Sequence, residues 1–217
     1  MVREVISATL LIGSFTCQGY CRGVGDTILV GIGVPDAAAA WESLGFRVAD
    51  DAVAFANGAL LLGREGFVLA AGANGDLEGI PVTSGRLVAP SDHPCGGVEL
   101  DHVVVLTDDL ERTSAAVEEV FGLPCRRVRE TETVRQAFHR FADVEHHRGC
   151  IVEVVENPRI RATSIMGVVI VVPEVESLAE RLGPGILSAP KPAVQPGRLI
   201  STVRREVGLG TALALMT

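Results

Sequence analysis

The chain has 217 residues, 47% hydrophobic and 21% charged, a composition with ample material for a buried core. Its 27 aspartates and glutamates against 19 lysines and arginines give a formal net charge of −8, which argues against a nucleic-acid partner because phosphate binding needs a basic face. The five cysteines, Cys17, Cys21, Cys95, Cys125 and Cys150, are odd in number and scattered, so they read as reduced cytoplasmic thiols rather than a disulfide framework or a zinc site.

Residues 1–26 form an extension without an assignable structure. Arg3 and the apolar run at 5–12 faintly resemble a secretory start, with Cys17 where a lipid-modified cysteine would sit, but Phe15 occupies a position that requires a small residue. No run reaches the ~18 apolar residues that span a bilayer, so no membrane partner is expected. Residues 27–98 read as a degenerate module with a connector. A strand at 27–34 leads into a helix at 36–44, with Pro35 at the helix start, where its missing N–H costs nothing. Short strands are predicted at 46–48, 52–56 and 59–62, with Asn57-Gly58 as a tight hairpin turn, and the lone Trp41 is assigned to the core. From 63 to 97 the chain turns to Gly, Pro, Ser, Asp and Asn, which predicts a loop-rich connector and a domain boundary.

Residues 99–217 read as a domain of two modules, 99–157 and 164–217. Leu100-Asp101-His102-Val103-Val104-Val105-Leu106 is a β-branched strand that breaks at Thr107-Asp108-Asp109 and opens an amphipathic helix to Phe121. Strands are predicted at 125–130, 134–141 and 150–156, with a polar hairpin tip at 143–149. The adjacent His146 and His147 of that tip point to opposite faces and cannot share a metal. The pattern returns as a strand at 168–172, a helix at 177–182 stopped by Gly183, and strands at 186–187, 199–205 and 211–216. Strand-helix starts recur roughly every 65 to 75 residues, the signature of a repeated β-α-β-β-β unit and an α+β protein.

Two such modules in tandem, the first opening with Leu100-Asp101-His102-Val103-Val104 and closing with Ile151-Val152-Glu153-Val154-Val155, resemble the vicinal oxygen chelate superfamily of glyoxalases, bleomycin-resistance proteins and dioxygenases. Residues 193–198 and 212–217 resemble uncharacterised bacterial glyoxalase-like proteins. The resemblance implies paired modules forming a concave, partly open mixed sheet barrel, around a cup where a divalent metal, Zn, Ni, Fe or Mn, holds a small organic substrate. It places the metal ligands at His102 and Glu153. The matching positions of the last module fall on Gly167 and Ala214, and in the first module on Leu29 and a residue near Leu62, none of which donates a lone pair. Only a half-site is present, whereas catalytic divalent sites keep three protein ligands; Glu156, His139 and His93 are candidates for the third.

A second chemistry uses arginines. Alternation along 134–141 puts Arg135, Ala137, His139 and Phe141 on one face and Gln136, Phe138 and Arg140 on the other. Either face offers a guanidinium beside an aromatic ring, suited to an anionic or planar ligand; Arg198, Ser201 and Arg204 are candidates for the opposite wall. The reading is therefore a cytoplasmic glyoxalase-like protein that binds a small molecule. It is a metal-assisted lyase, isomerase or dioxygenase, or else a metal-free drug- or metabolite-binding protein without a cofactor. Family cups are often assembled across subunits, which implies a homodimer.

Overall fold

The computed structural model describes residues 27–70 and 74–217; the expectations placed on residues 1–26 lie outside them. The first strand β1 (Leu29–Val34) runs into the short helix α1 (Ala38–Ser43), which buries Trp41 completely. β2 (Ala52–Phe55) and β3 (Gly58–Leu62) follow as the expected Asn57-Gly58 hairpin. Residues 46–48 form no strand; next to them Ala49 makes only an isolated bridge to Ala52. The connector expected over 63–97 contains three further strands, β4 (Gly66–Leu69), β5 (Gly75–Leu77) and β6 (Ile80–Ser84). They are three to five residues long and set between glycine turns, and Pro81 argues locally against a strand, so their periodic signal is weak. Burial of Phe67, Leu69, Leu77, Ile80 and Val82 makes them strands nonetheless.

The second half follows its expected order except that 186–187 form no strand, Leu187 making only an isolated bridge to Val203, and a short strand at 191–192 takes that place. β7 (Glu99–Thr107) leads to α2 (Leu110–Phe121), whose N-cap Asp109 accepts a hydrogen bond from the N–H of Arg112 and whose end is set by Gly122 at φ 66°. β8 (Arg127–Glu130), β9 (Arg135–Arg140) and β10 (Ile151–Glu156) complete that module. β11 (Ser164–Val171), α3 (Val175–Leu182), β12 (Lys191–Pro192), β13 (Leu199–Thr202) and β14 (Ala212–Met216) make the last one.

Strand order reveals a common plan. The eight-stranded sheet runs β12-β13-β14-β11-β7-β10-β9-β8, and its two modules meet where their first strands, β7 and β11, pair antiparallel. Each first strand has its own module's last strand parallel on its other side, β10 beside β7 and β14 beside β11. The six-stranded sheet, β2-β3-β1-β4-β6-β5, repeats this plan in shortened form: β1 and β4 pair antiparallel, with β3 parallel to β1 and β6 parallel to β4. Residues 29–84 thus resemble a pair of reduced modules rather than one degenerate module followed by a loop.

One apolar core joins the two sheets. It takes in Ile32, Phe55 and Phe67 from the first sheet, Val103, Val152, Val168 and Leu213 from the second, and Trp41, Val117 and Leu178 from the helices. Phe121 of α2 lies 5.0 Å from the Phe67 ring and 5.5 Å from that of Phe141. The opposite face of the eight-stranded sheet, here the inner face, carries two small clusters, Val104 with Leu106 and Val155, and Val169 with Ala214 and Met216. Polar clamps fix one sheet to the other. Asn57, 1% exposed, donates to the carbonyls of Leu100 (2.8 Å) and Arg148 (2.7 Å) and accepts from the Leu100 N–H (2.8 Å).

Asn57→Ala leaves those three backbone groups unpaired, at about 1–3 kcal/mol for each one that stays dry. Urea denaturation is expected to show a loss of about 2–4 kcal/mol with native far-UV circular dichroism; a loss below about 0.5 kcal/mol would mean that the clamp is replaced by water.

Candidate functional site

The inner face is built around an irregularity in β7. Val169 of β11 pairs with His102 and Ile170 with Leu100, so Asp101 is an extra residue in the ladder. A bulge of this kind breaks the strict alternation of side chains. Leu100 and Val103 therefore both stay in the core, while Asp101 and His102 together reach the inner face. β11 carries a matching bulge at Met166, between Ile165 opposite Val105 and Gly167 opposite Val104.

A line of polar contacts crosses four strands from this point. His102 Nδ1 lies 2.8 Å from Asp101 Oδ2, and His102 Nε2 lies 3.2 Å from Oε2 of Glu153 on β10. Beyond Asp101, Arg198 Nη1 donates to Asp101 Oδ1 at 2.7 Å. Beyond Glu153, Gln136 Nε2 donates to Oε1, and Arg129 Nη1 donates to Gln136 Oε1 at 2.9 Å. The side chain of His102 is 17% exposed and that of Glu153 11%, so the line runs through a nearly dry region.

Burial and charge set the protonation. Desolvation pulls the His102 imidazole down, but the Asp101 hydrogen bond and the negative charges of Glu153 and Asp101 outweigh it and hold the ring above its ordinary value. Desolvation also works to raise Asp101, yet the hydrogen bond and charge of His102, with Arg198, keep that carboxyl low. Glu153 goes the other way: desolvation raises it against the pull of His102, Arg129 and Gln136. A carboxylate oxygen faces each ring nitrogen, an arrangement that favours the protonated form of His102.

The structure distributes the sequence candidates unequally. His102, Glu153 and Arg198 come together in the polar line. Phe138 pairs with Glu153 and Arg140 with Ile151, so both lie on the inner face. Arg127 of β8, paired with Phe138, holds its guanidinium 5.9 Å from that ring's centroid. Arg135 and His139 fall on the helix side instead. Arg135 pairs with Glu111 and with Glu156 (2.9 Å). Desolvation lowers the fully buried His139, whose Nδ1 lies 2.8 Å from the Leu123 carbonyl and whose Nε2 lies 2.9 Å from the Ser114 hydroxyl. Arg204 is exposed beyond the end of β13. Asp101, Arg127, Arg129 and Gln136 complete the site. Alternation pairs Gln136 with Phe138, but the role of Asp101 rests on a bulge that leaves no mark in residue type.

The fit of a divalent ion can be judged from the donors. Among the described residues no group of three or more His, Cys, Asp or Glu side chains converges on a metal position. Asp101 and Glu153 sit against opposite nitrogens of one imidazole, so they cannot share an ion with each other, and both lone-pair positions of the ring are taken by N–H contacts. The proposed third ligands are engaged elsewhere. Glu156 accepts from Arg135 and from the Leu110 N–H, and His93 accepts from the Arg47 N–H (3.0 Å) while packed against Phe46 and Phe55. Gly167 and Ala214 occupy the positions related to His102 and Glu153. The residues present do not fit a catalytic divalent ion.

No family model matches the chain, and no curated protein sequence matches it. Solved structures do. A methylmalonyl-CoA epimerase variant of Streptomyces coelicolor, in complex with 2-nitronate-propionyl-CoA, is 17% identical with a TM-score of 0.47, over 56% of this chain and 97% of its own. The methylmalonyl-CoA epimerase of Mycobacterium tuberculosis is 14% identical with a TM-score of 0.46, over 57% and 89%. A hypothetical protein of Bacillus halodurans is 14% identical with a TM-score of 0.44, over 54% and 92%. The chain's own element and strand order shows two paired βαβββ modules in the eight-stranded sheet.

The protonation pattern fixes a pH dependence. Stability from the raised His102 is fully present below its ordinary 6.5 and is lost as pH rises through its folded value. Raised Glu153 has the same sign, starting from 4.5. Depressed Asp101 contributes above 3.8 and loses its contribution as pH falls through its lower folded value. Urea midpoints measured from pH 6 upward are expected to decline for the wild type by about 1.4 kcal/mol per unit of the His102 shift, and to stay flatter for His102→Gln. Parallel slopes in both proteins would sink the assignment of an imidazolium.

Proposed function

We propose that the chain binds a small organic anion with a flat apolar part on the inner face of the eight-stranded sheet, without a divalent ion. The observation that carries this reading is the gathering of Arg127, Arg129, Arg140 and Arg198 on one face of a chain whose net charge is −8. Within the polar line the two carboxylates, Asp101 and Glu153, already stand beside three cations, Arg198, His102 and Arg129. Arg127 and Arg140 add two further guanidinium groups to those of Arg129 and Arg198 on this face. Arg140 donates from Nε to the Gly149 carbonyl at 3.1 Å, and Arg127 lies over Phe138. A carboxylate or phosphate between these guanidinium groups gains charge-assisted hydrogen bonds, and its apolar body gains the half-buried Phe138 ring. The metal-assisted lyase, isomerase or dioxygenase reading is not supported by the donor set described above.

Titration calorimetry of the purified protein with benzoate and 2-naphthoate, beside benzyl alcohol, tests the reading. The carboxylates are expected to bind, the alcohol is not, and Arg127→Gln and Arg140→Gln are each expected to weaken binding about tenfold, as a lost hydrogen bond to a charged group predicts. Near-stoichiometric Zn, Ni, Mn, Fe or Co that disappears in His102→Ala and Glu153→Ala would overturn the metal-free reading.

A further inference from the structure

A crevice of about 150 Å³ lies between ends of the two sheets, and no residue of the polar line borders it. Gly33, Glu65 and Pro81 from the first sheet and its turns face Ser164, Ile165 and Thr211 from the second. Its volume is below the roughly 300 Å³ at which drug-sized pockets begin. Three features give it a chemistry. Among the described residues no lysine, arginine or histidine lines it. Thr211 is a wall residue only 5% exposed. Asp36 accepts the N–H groups of the lining residues Gly210 and Thr211 through Oδ1, while its buried Oδ2 has no hydrogen-bond partner among the described residues. Asp36 itself is 6% exposed.

We propose that this crevice binds a small primary ammonium ion, an alkylamine. Two carboxylates, Glu65 at the rim and Asp36 bonded to the lining Gly210 and Thr211, make the local potential negative in a place with no basic lining among the described residues. An ammonium presents three N–H donors and no acceptor. Glu65 and the hydroxyls of Ser164 and Thr211 are the matching acceptors, and Pro81 and Ile165 flank the alkyl group. A carboxylate or phosphate would meet like charge here, so the crevice and the inner face select ligands of opposite sign. Because the crevice is walled by both sheets, its ligand binds the folded arrangement of the two and stabilises it.

The test is thermal shift and titration calorimetry of the full chain with propylamine and cyclohexylamine at constant ionic strength, beside propanol and propionate. Both amines are expected to raise the melting temperature and the other two compounds are not. Glu65→Gln and Thr211→Val are each expected to weaken amine binding about tenfold. Glu65 is exposed, so Glu65→Gln serves alone if Thr211→Val does not fold. No response to either amine, an equal response to propanol, or unchanged affinity in Glu65→Gln would overturn the assignment.

Discussion

The inner face depends on one extra residue in β7. Without the bulge opposite Val169, strict alternation would send either Asp101 or His102 into the core beside Leu100 or Val103, where a charge has no partner. With it, acid and imidazole are neighbours on one side of the sheet, and Glu153 of the adjacent parallel strand meets the ring's other nitrogen. A buried ion is tolerable only when it is paired and hydrogen-bonded. The alternation of cation and anion from Arg198 through Asp101 and His102 to Glu153 meets that condition step by step. Removing any member leaves its neighbour charged and dry, so the side chains hold one another in place before a ligand arrives.

The back-to-back arrangement decides which face is left for binding. In the eight-stranded sheet the helix side is covered by α2, α3 and the whole first sheet, through a core that runs from Trp41 to Leu215. Asn57 ties the hairpin of the first sheet to the start of β7, one residue before the bulge. Glu78 ties the turn between β5 and β6 to Arg112 and Thr113 of α2 and to Thr163 ahead of β11. The first sheet therefore acts as a brace on the back of the bulged strand, and the crevice lies at its margin.

Much of this was legible in the residues, for physical reasons that also mark the limit. A β-branched run that breaks at Thr107-Asp108-Asp109 and continues with helical spacing has one sensible reading, and the same holds at 168–182. β4, β5 and β6 were not legible, because three to five residues between glycines show no period and Pro81 contradicts the only clear alternation. His102 and Glu153 were placed at one site by the family resemblance alone, and the structure brings the two within 3.2 Å. The inward face of β9 was open from sequence. Arg135 and His139 looked as suitable as Phe138 and Arg140, and only the position of α2, which supplies Glu111 and Ser114 as partners, separates them. Asp101 could not be found by pattern, because a bulge is a property of two strands together.

The difference between the two modules of the eight-stranded sheet determines what the inner face can hold. The β7–β10 module supplies every charge of the Asp101–His102–Glu153 segment, whereas its partner offers Gly167 and Ala214 at the corresponding places. A metal centre shared between modules needs lone pairs from both sides, because two ligands leave a divalent ion largely hydrated. When one side loses its donors, the remaining histidine and glutamate would be buried without a counter-ion. Here that deficit is filled from within the chain: a proton makes His102 the cation, and Arg129 and Arg198 flank the two carboxylates. The positive charge that an ion would have supplied is thus part of the covalent structure, fixed in position and titratable. Under the proposed reading such a face attracts an anion through its arginines rather than through its histidine.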